Sequence, residues 1–230
     1  IQFLEMITKI LKTRPTKAIN YRYFSSLALA FLMLFVYGYR TLDPDLGWHL
    51  RAGEYFVRFG IPKTDIFSFT ANNFAWINHE WLNDVIMHLL NTSGGKTLLA
   101  YFFTAIWVLA LYIASYRKSV MVTLIAAISI IPFAGTRPIA WSVLFTVLLL
   151  RILRLGRSKY QLFIPLIFLA WANLHGGFTL GLLILVLWQL FSKNKLSYWV
   201  IVASFISVFI NPYGPRIFIE IFSTLSDSQL

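Results

Sequence analysis

Polar and apolar residues follow one another along this chain in long blocks. Apolar stretches at 24–39, 97–116, 120–134, 139–155, 160–174, 178–191 and 196–210 are separated by polar connections, most of them short. Blocks of 14 to 20 residues with almost no charge away from their ends read as helices whose solvent is lipid. One 15-residue block would suit a buried helix of a soluble protein, but six in tandem do not. The pattern predicts an all-α integral membrane protein of about seven transmembrane helices, with residues 1–230 as a single transmembrane domain. Beginning at Ile1 and ending without an obvious stop, it also suits the N-terminal part of a longer protein.

The longest polar block, 40–96, is predicted to be a first outer loop carrying amphipathic helices at the membrane surface. Asp43-Pro44-Asp45 opens the first of these, with Asp43 as N-cap and Pro44 in the first turn, and Gly60 closes it before Pro62. Leu46, Leu50, Gly53 and Val57 give this helix, 44–59, an apolar face. Asp45 and His49, four residues apart, share another. Further on, Asn78 is placed to cap a short helix with Glu80, Asp84 and His88 at spacing four. Asp84 and His88 read as its solvated face, whereas His79 and Glu80, between Trp76 and Trp81, read as site candidates.

Composition agrees with a lipid environment. Hydrophobic residues make up 58% of the chain and charged residues 13%, and mean hydropathy is +0.70, well outside the range of soluble domains. Almost nothing is left over for a soluble catalytic domain, so a site has to be built from loops and helix ends. With no cysteine, a thiolate nucleophile or cysteine metal site is excluded.

The net charge of +11 would suggest nucleic acid in a soluble protein, but its placement makes it an orientation signal. With 81–90 lying at the interface, the cations Lys9, Lys12, Arg14, Lys17, Arg22, Arg117, Lys118, Arg151, Arg154, Arg157, Lys159, Lys193 and Lys195 fall on one side with a single acid, Glu5. The positive-inside rule makes that side the cytoplasm and places the N-terminus there. All four histidines and the remaining acids then lie outside. The expectation is a plasma-membrane protein in contact with membrane lipid, with a site on the outer face and no nucleic-acid partner.

On that face the candidates are Asp45 as general base or metal ligand with His49 beside it, and His79 and Glu80 at the interface. Arg137, in the connection Gly135-Thr136-Arg137-Pro138, offers a fork of donors to a phosphate. His175 stands beside Gly176 and Gly177, where backbone can approach a ligand.

The runs Asp45-Leu46-Gly47-Trp48-His49-Leu50-Arg51 and Gly60-Ile61-Pro62-Lys63-Thr64-Asp65-Ile66-Phe67-Ser68 resemble the first outer loop of GT-C superfamily glycosyltransferases. These include oligosaccharyltransferase catalytic subunits and protein mannosyltransferases. The likeness extends to bacterial members through His79-Glu80-Trp81-Leu82, Trp171-Ala172-Asn173-Leu174-His175-Gly176-Gly177 and Asn211-Pro212-Tyr213-Gly214. It implies transfer of a sugar or glycan from a polyprenyl-phosphate carrier, with Asp45 as the first-loop base or metal ligand for a divalent ion, Mg or Mn, and Asp65 as a second acidic position. Arg51 and Arg137 would then neutralise the leaving phosphate. The family's second-loop acid has no counterpart here. A non-catalytic assembly subunit of the same fold and a transporter or flippase of lipid-linked solutes are the alternatives.

Overall fold

The computed structural model of the protein describes residues 21–41, 43–70, 74–115, 120–156 and 158–226. Regular structure among them is helical: α1 (Tyr21–Arg40), α2 (Leu46–Phe59), α3 (Trp81–Ser115), α4 (Val120–Ile130), α5 (Ile139–Leu155), α6 (Ser158–Gln161), α7 (Ile164–Leu174), α8 (Phe178–Phe191), α9 (Tyr198–Ser207) and α10 (Arg216–Ser226). Among the described residues the one extended pairing is an isolated bridge between Thr64 and Ala75.

Proline and glycine decide most of the boundaries. Pro132 converts the end of α4 into a 3-10 turn, Ile131–Phe133. Pro165 sits in the first turn of α7, where its missing N–H costs nothing, and so breaks the predicted 160–174 block into α6 and α7. The predicted 81–90 element and 97–116 helix are joined in α3, which kinks at Gly95, where φ is 62° and a side chain would be strained. Among the described residues, α1 and α3 are the two helices long and apolar enough to cross a membrane; 120–133, α8 and α9 are apolar but shorter.

Two apolar cores hold the bundle. Leu27, Ala30 and Leu34 of α1 pack with Leu99, Phe103 and Trp107 of α3 and with Ala127 of α4. The other core joins Leu149 and Ile152 of α5 to Phe168 and Trp171 of α7, Phe178 and Leu185 of α8, and Val200 of α9. Outside these cores the apolar surface continues: Leu29, Leu32 and Val36 on α1, Met121, Ile125 and Ile128 on α4, and Leu180, Leu183, Leu187 and Leu190 on α8 are exposed. Rows of this kind at helical spacing need an apolar solvent or a partner.

The α1–α2 connection, the α4–α5 connection and the kink of α3 meet at one end of the bundle. Gly38 of α1 lies against Gly135, close enough that a Cβ on Gly38 would stand 3.3 Å from the Gly135 Cα. Lys96, just past the kink, sits 4.7 Å from the ring of Tyr39 in the last turn of α1. The first half of α3 therefore starts and finishes at this end, packed along α2. The predicted sidedness of Lys9, Lys12, Arg14, Lys17, Arg117, Lys118 and Arg157 concerns positions outside the described residues.

Candidate functional site

Helix α2 begins at Leu46, two residues later than predicted, with Asp45 in the N-cap position but making no side-chain cap bond. Asp43 does the local work instead. Its Oδ1 accepts the Asp45 N–H at 2.9 Å, and its Oδ2 lies 2.7 Å from Arg137 Nε, tying the start of α2 to the α4–α5 connection. Asp45 is left exposed, facing the space between them.

The buried face of α2 is His49, Ala52, Gly53 and Phe56. Gly53 sits directly on the backbone of α3: a Cβ there would fall 2.1 Å from the Asp84 carbonyl oxygen. This contact brings His49, one turn earlier, onto the Asp84 side chain. His49 Nδ1 donates to Asp84 Oδ1 at 2.7 Å, and Asn78 Nδ2 donates to Asp84 Oδ2 at 2.6 Å. Asn78 Oδ1 in turn accepts the Glu80 N–H, an Asx turn ahead of α3, which starts at Trp81, so Asn78 is not itself the predicted cap. Asp84 is fully buried, which corrects its reading as part of a solvated face; His88 is also partly buried, against Gly53. Sequence spacing alone had no means of finding this, because the partner face belongs to another helix.

Glu80 stands among three imidazoles. His49 Nε2 is 3.8 Å from Oε2, while His79 Nε2 and His175 Nε2 are 3.7 and 3.3 Å from Oε1. The protonation of His175 follows from its neighbours. Gly177 N–H donates to His175 Nδ1 at 2.9 Å, and Ser142 Oγ, which accepts from Trp171 Nε1, stands 2.7 Å from the same nitrogen. Nδ1 is therefore an acceptor and the proton sits on Nε2, directed at Glu80. Burial, then the neighbouring His79 and His49, push the His175 pKa down to about 3. Gly176 and Gly177 are explained by this packing: a Cβ on Gly176 would meet the His79 ring at 2.9 Å, and one on Gly177 would meet Ser142 Oγ at 2.2 Å. Both glycines thus admit side chains of the protein itself.

The other titrations follow their surroundings. Burial lifts the Glu80 carboxyl to about 7; the charge of His49 opposes the lift, and the carboxylates of Asp84, Asp45 and Asp43 add to it. Burial works against charge on His49, but the hydrogen bond and charge of Asp84, with Glu80 and Asp43 behind them, outweigh it and raise its pKa. His79 is lowered by burial and by His49.

These groups surround one cavity of about 300 Å³, lined by Asp43, Asp45, His49, Glu80, Arg137 and His175 with two prolines and Ile139. Five of the residues singled out from the sequence, Asp45, His49, Glu80, Arg137 and His175, are thereby assembled, and His79 abuts them through Glu80. Two are not. Arg51 pairs with Glu54 at 2.6 Å on the exposed side of α2. Asp65 accepts the N–H groups of Phe67 and Ser68 within its own loop. Both belong to local structure, so the phosphate role expected of Arg51 and the second acidic position expected of Asp65 have no place at the cavity. Among the described residues, His49, Glu80 and Asp84 offer ligand atoms within 4.8 Å of one another, a donor set that suits a metal ion.

Three of the motifs that carry the resemblance are linked beside this cavity, while the 60–68 run stays outside it. Trp81 Nε1 donates to Asn173 Oδ1 at 2.9 Å, and Asn173 Nδ2 donates to the carbonyl of Ile210, next to Asn211. No family model matches the chain, and neither a curated protein nor a solved structure matches it.

Proposed function

We propose that this chain is a GT-C-type membrane glycosyltransferase that takes a sugar or glycan from a polyprenyl-phosphate carrier at the non-cytoplasmic face. The observation that carries the reading is a polar cavity at the end of an apolar helical bundle, where an exposed carboxylate, Asp45, faces an arginine, Arg137, across imidazole and carboxyl groups. An isoprenoid tail needs an apolar flank and its phosphate needs a cation; the two meet at this end of the bundle.

In this reading the seven apolar blocks are seven spans, the N-terminus is cytoplasmic and the membrane is the plasma membrane. The acceptor hydroxyl or amide attacks the anomeric carbon, and its proton passes to Asp45. The bond from that carbon to the phosphate oxygen breaks, and the phosphate leaves with the electron pair. Arg137, held through Nε by Asp43, presents its terminal nitrogens to that charge. His79 and Glu80 line the acceptor side, and the Nε2–H of His175 points inward as a fixed donor. A divalent ion, where bound, would neutralise phosphate charge; His49 and Glu80 are the residues fitted to hold it.

The test is transfer of labelled sugar from polyprenyl-phosphate donors in proteoliposomes. Asp45→Asn and Arg137→Gln are each expected to lower transfer by about 100-fold or more, in line with loss of a base or of an oxyanion contact. Absence of transfer from a panel of polyprenyl-phosphate sugars, or equal transfer by wild type and both variants, overturns the reading.

A further inference from the structure

We propose that His49 and Glu80 are the protein ligands of a divalent transition-metal site, with Asp84 as the residue that positions the imidazole. His49 Nε2 and Glu80 Oε2 are 3.8 Å apart. Two ligands at about 2.0–2.2 Å from a shared ion are separated by some 3–3.5 Å, so a shift of a few tenths of an ångström brings both onto one ion. His49 is only 7% exposed, yet among the described residues its Nε2 has no hydrogen-bond partner, with Glu80 Oε2 3.8 Å away, and His49 lines the cavity.

The other half of the imidazole is already committed. Its Nδ1–H is held by Asp84 at 2.7 Å, which leaves the lone pair on Nε2 and fixes the ring plane. A carboxylate behind a histidine in this way is the usual outer partner of a metal-bound imidazole, raising its basicity and removing its freedom to turn. Asp84 cannot easily be a ligand itself, because Oδ1 faces His49 and Oδ2 takes the Asn78 amide at 2.6 Å. His175 is excluded by its tautomer, since its Nε2 carries the proton.

A nitrogen ligand beside a carboxylate favours Mn, Fe, Co or Zn over Mg and Ca, which prefer all-oxygen shells. Two fixed protein ligands leave several coordination positions for Asp45, water or a substrate oxygen. Open positions of that kind mark a working site rather than a structural one. The site shares its cavity with the transferase reading without depending on it: a protein that takes up metal and transfers no sugar keeps this inference and loses that one.

The experiment uses the full chain purified in detergent, stripped with chelator and titrated with Mn²⁺ while the free-ion electron paramagnetic resonance signal is followed. One ion per chain is expected. His49→Ala and Glu80→Gln should each weaken binding by at least 100-fold and Asp84→Asn by about 10- to 100-fold, with Mg²⁺ in hundredfold excess failing to displace the ion. Electron spin-echo modulation of the wild-type complex should show a coordinated imidazole nitrogen, a readout that needs no variant to fold. Absence of stoichiometric binding, absence of the nitrogen coupling, or unchanged affinity in His49→Ala overturns the proposal.

Discussion

His49 Nδ1 donates to Asp84 Oδ1 across 2.7 Å and 35 residues of chain. The bond exists because a glycine, Gly53, lets α2 rest on the backbone of α3 at Asp84 itself. From this contact follow the burial of a carboxylate, the orientation of an imidazole and the position of Glu80 between three histidines.

Asp84→Asn keeps the shape of the side chain but replaces one acceptor by an NH₂ group. That group must face either the Asn78 amide or the His49 N–H, donor against donor. The variant is expected to lose about 2 kcal/mol of stability, the usual cost of a broken buried hydrogen bond to a charged group. Thermal unfolding of the purified protein in detergent measures it, and a midpoint equal to wild type would count against the buried network.

Gly53→Ala places a methyl carbon against the Asp84 carbonyl, where backbone must move to admit it. A loss of about 1–3 kcal/mol is expected, as for overpacking elsewhere. Gly47→Ala, on the same helix with nothing within 4 Å of the added carbon, is the matched control and should gain up to about 1 kcal/mol from helix propensity. Similar effects at the two positions would contradict the close α2–α3 contact.

His175 holds its proton less tightly in the fold than in the unfolded chain, with a pKa of about 3 against 6.5. Between those values the unfolded chain binds more protons, so this residue's contribution to stability is full above pH 6.5 and is lost as pH falls, by up to about 1.4 kcal/mol per pH unit. Glu80 and His49, whose pKa values are raised, act in the opposite sense. The effect is therefore read as the difference between wild type and H175Q from pH 7 to pH 4.5. Parallel stability curves for the two proteins would refute the neutral buried imidazole.

Sidedness is open to chemistry because the chain has no cysteine. Phe69→Cys, at a loop position that is 95% exposed, should react with a membrane-impermeant maleimide on intact cells. Lys193→Cys, in the α8–α9 connection, should react only after permeabilisation. Reversed labelling would invert the orientation drawn from the positive-inside rule.

Much of this protein is legible in its residues taken in order. Runs of apolar side chains with few charges dictate helices, Gly60 ends the helix it is expected to end, and the segments that supply the cavity stand out as the polar interruptions. These features depend on neighbours within a few positions, where hydrophobic periodicity and capping operate. Helix breaks at Pro132 and Pro165 are equally local, and they shorten the blocks that composition alone presents as full spans.

Which polar groups meet is a different kind of fact. The spacing of Glu80, Asp84 and His88 suits a solvated helix face, and only the arrival of α2 at Gly53 buries Asp84 and gives it His49. The same packing decides that Arg137 is held by Asp43 and that His175 keeps its proton on Nε2, because Ser142 joins the Gly177 N–H on the other side of the ring. Side-chain partners 30 to 90 residues apart are chosen by the crossing of whole helices. That choice rests on shape and on the need to satisfy every buried polar atom, neither of which a one-dimensional pattern records.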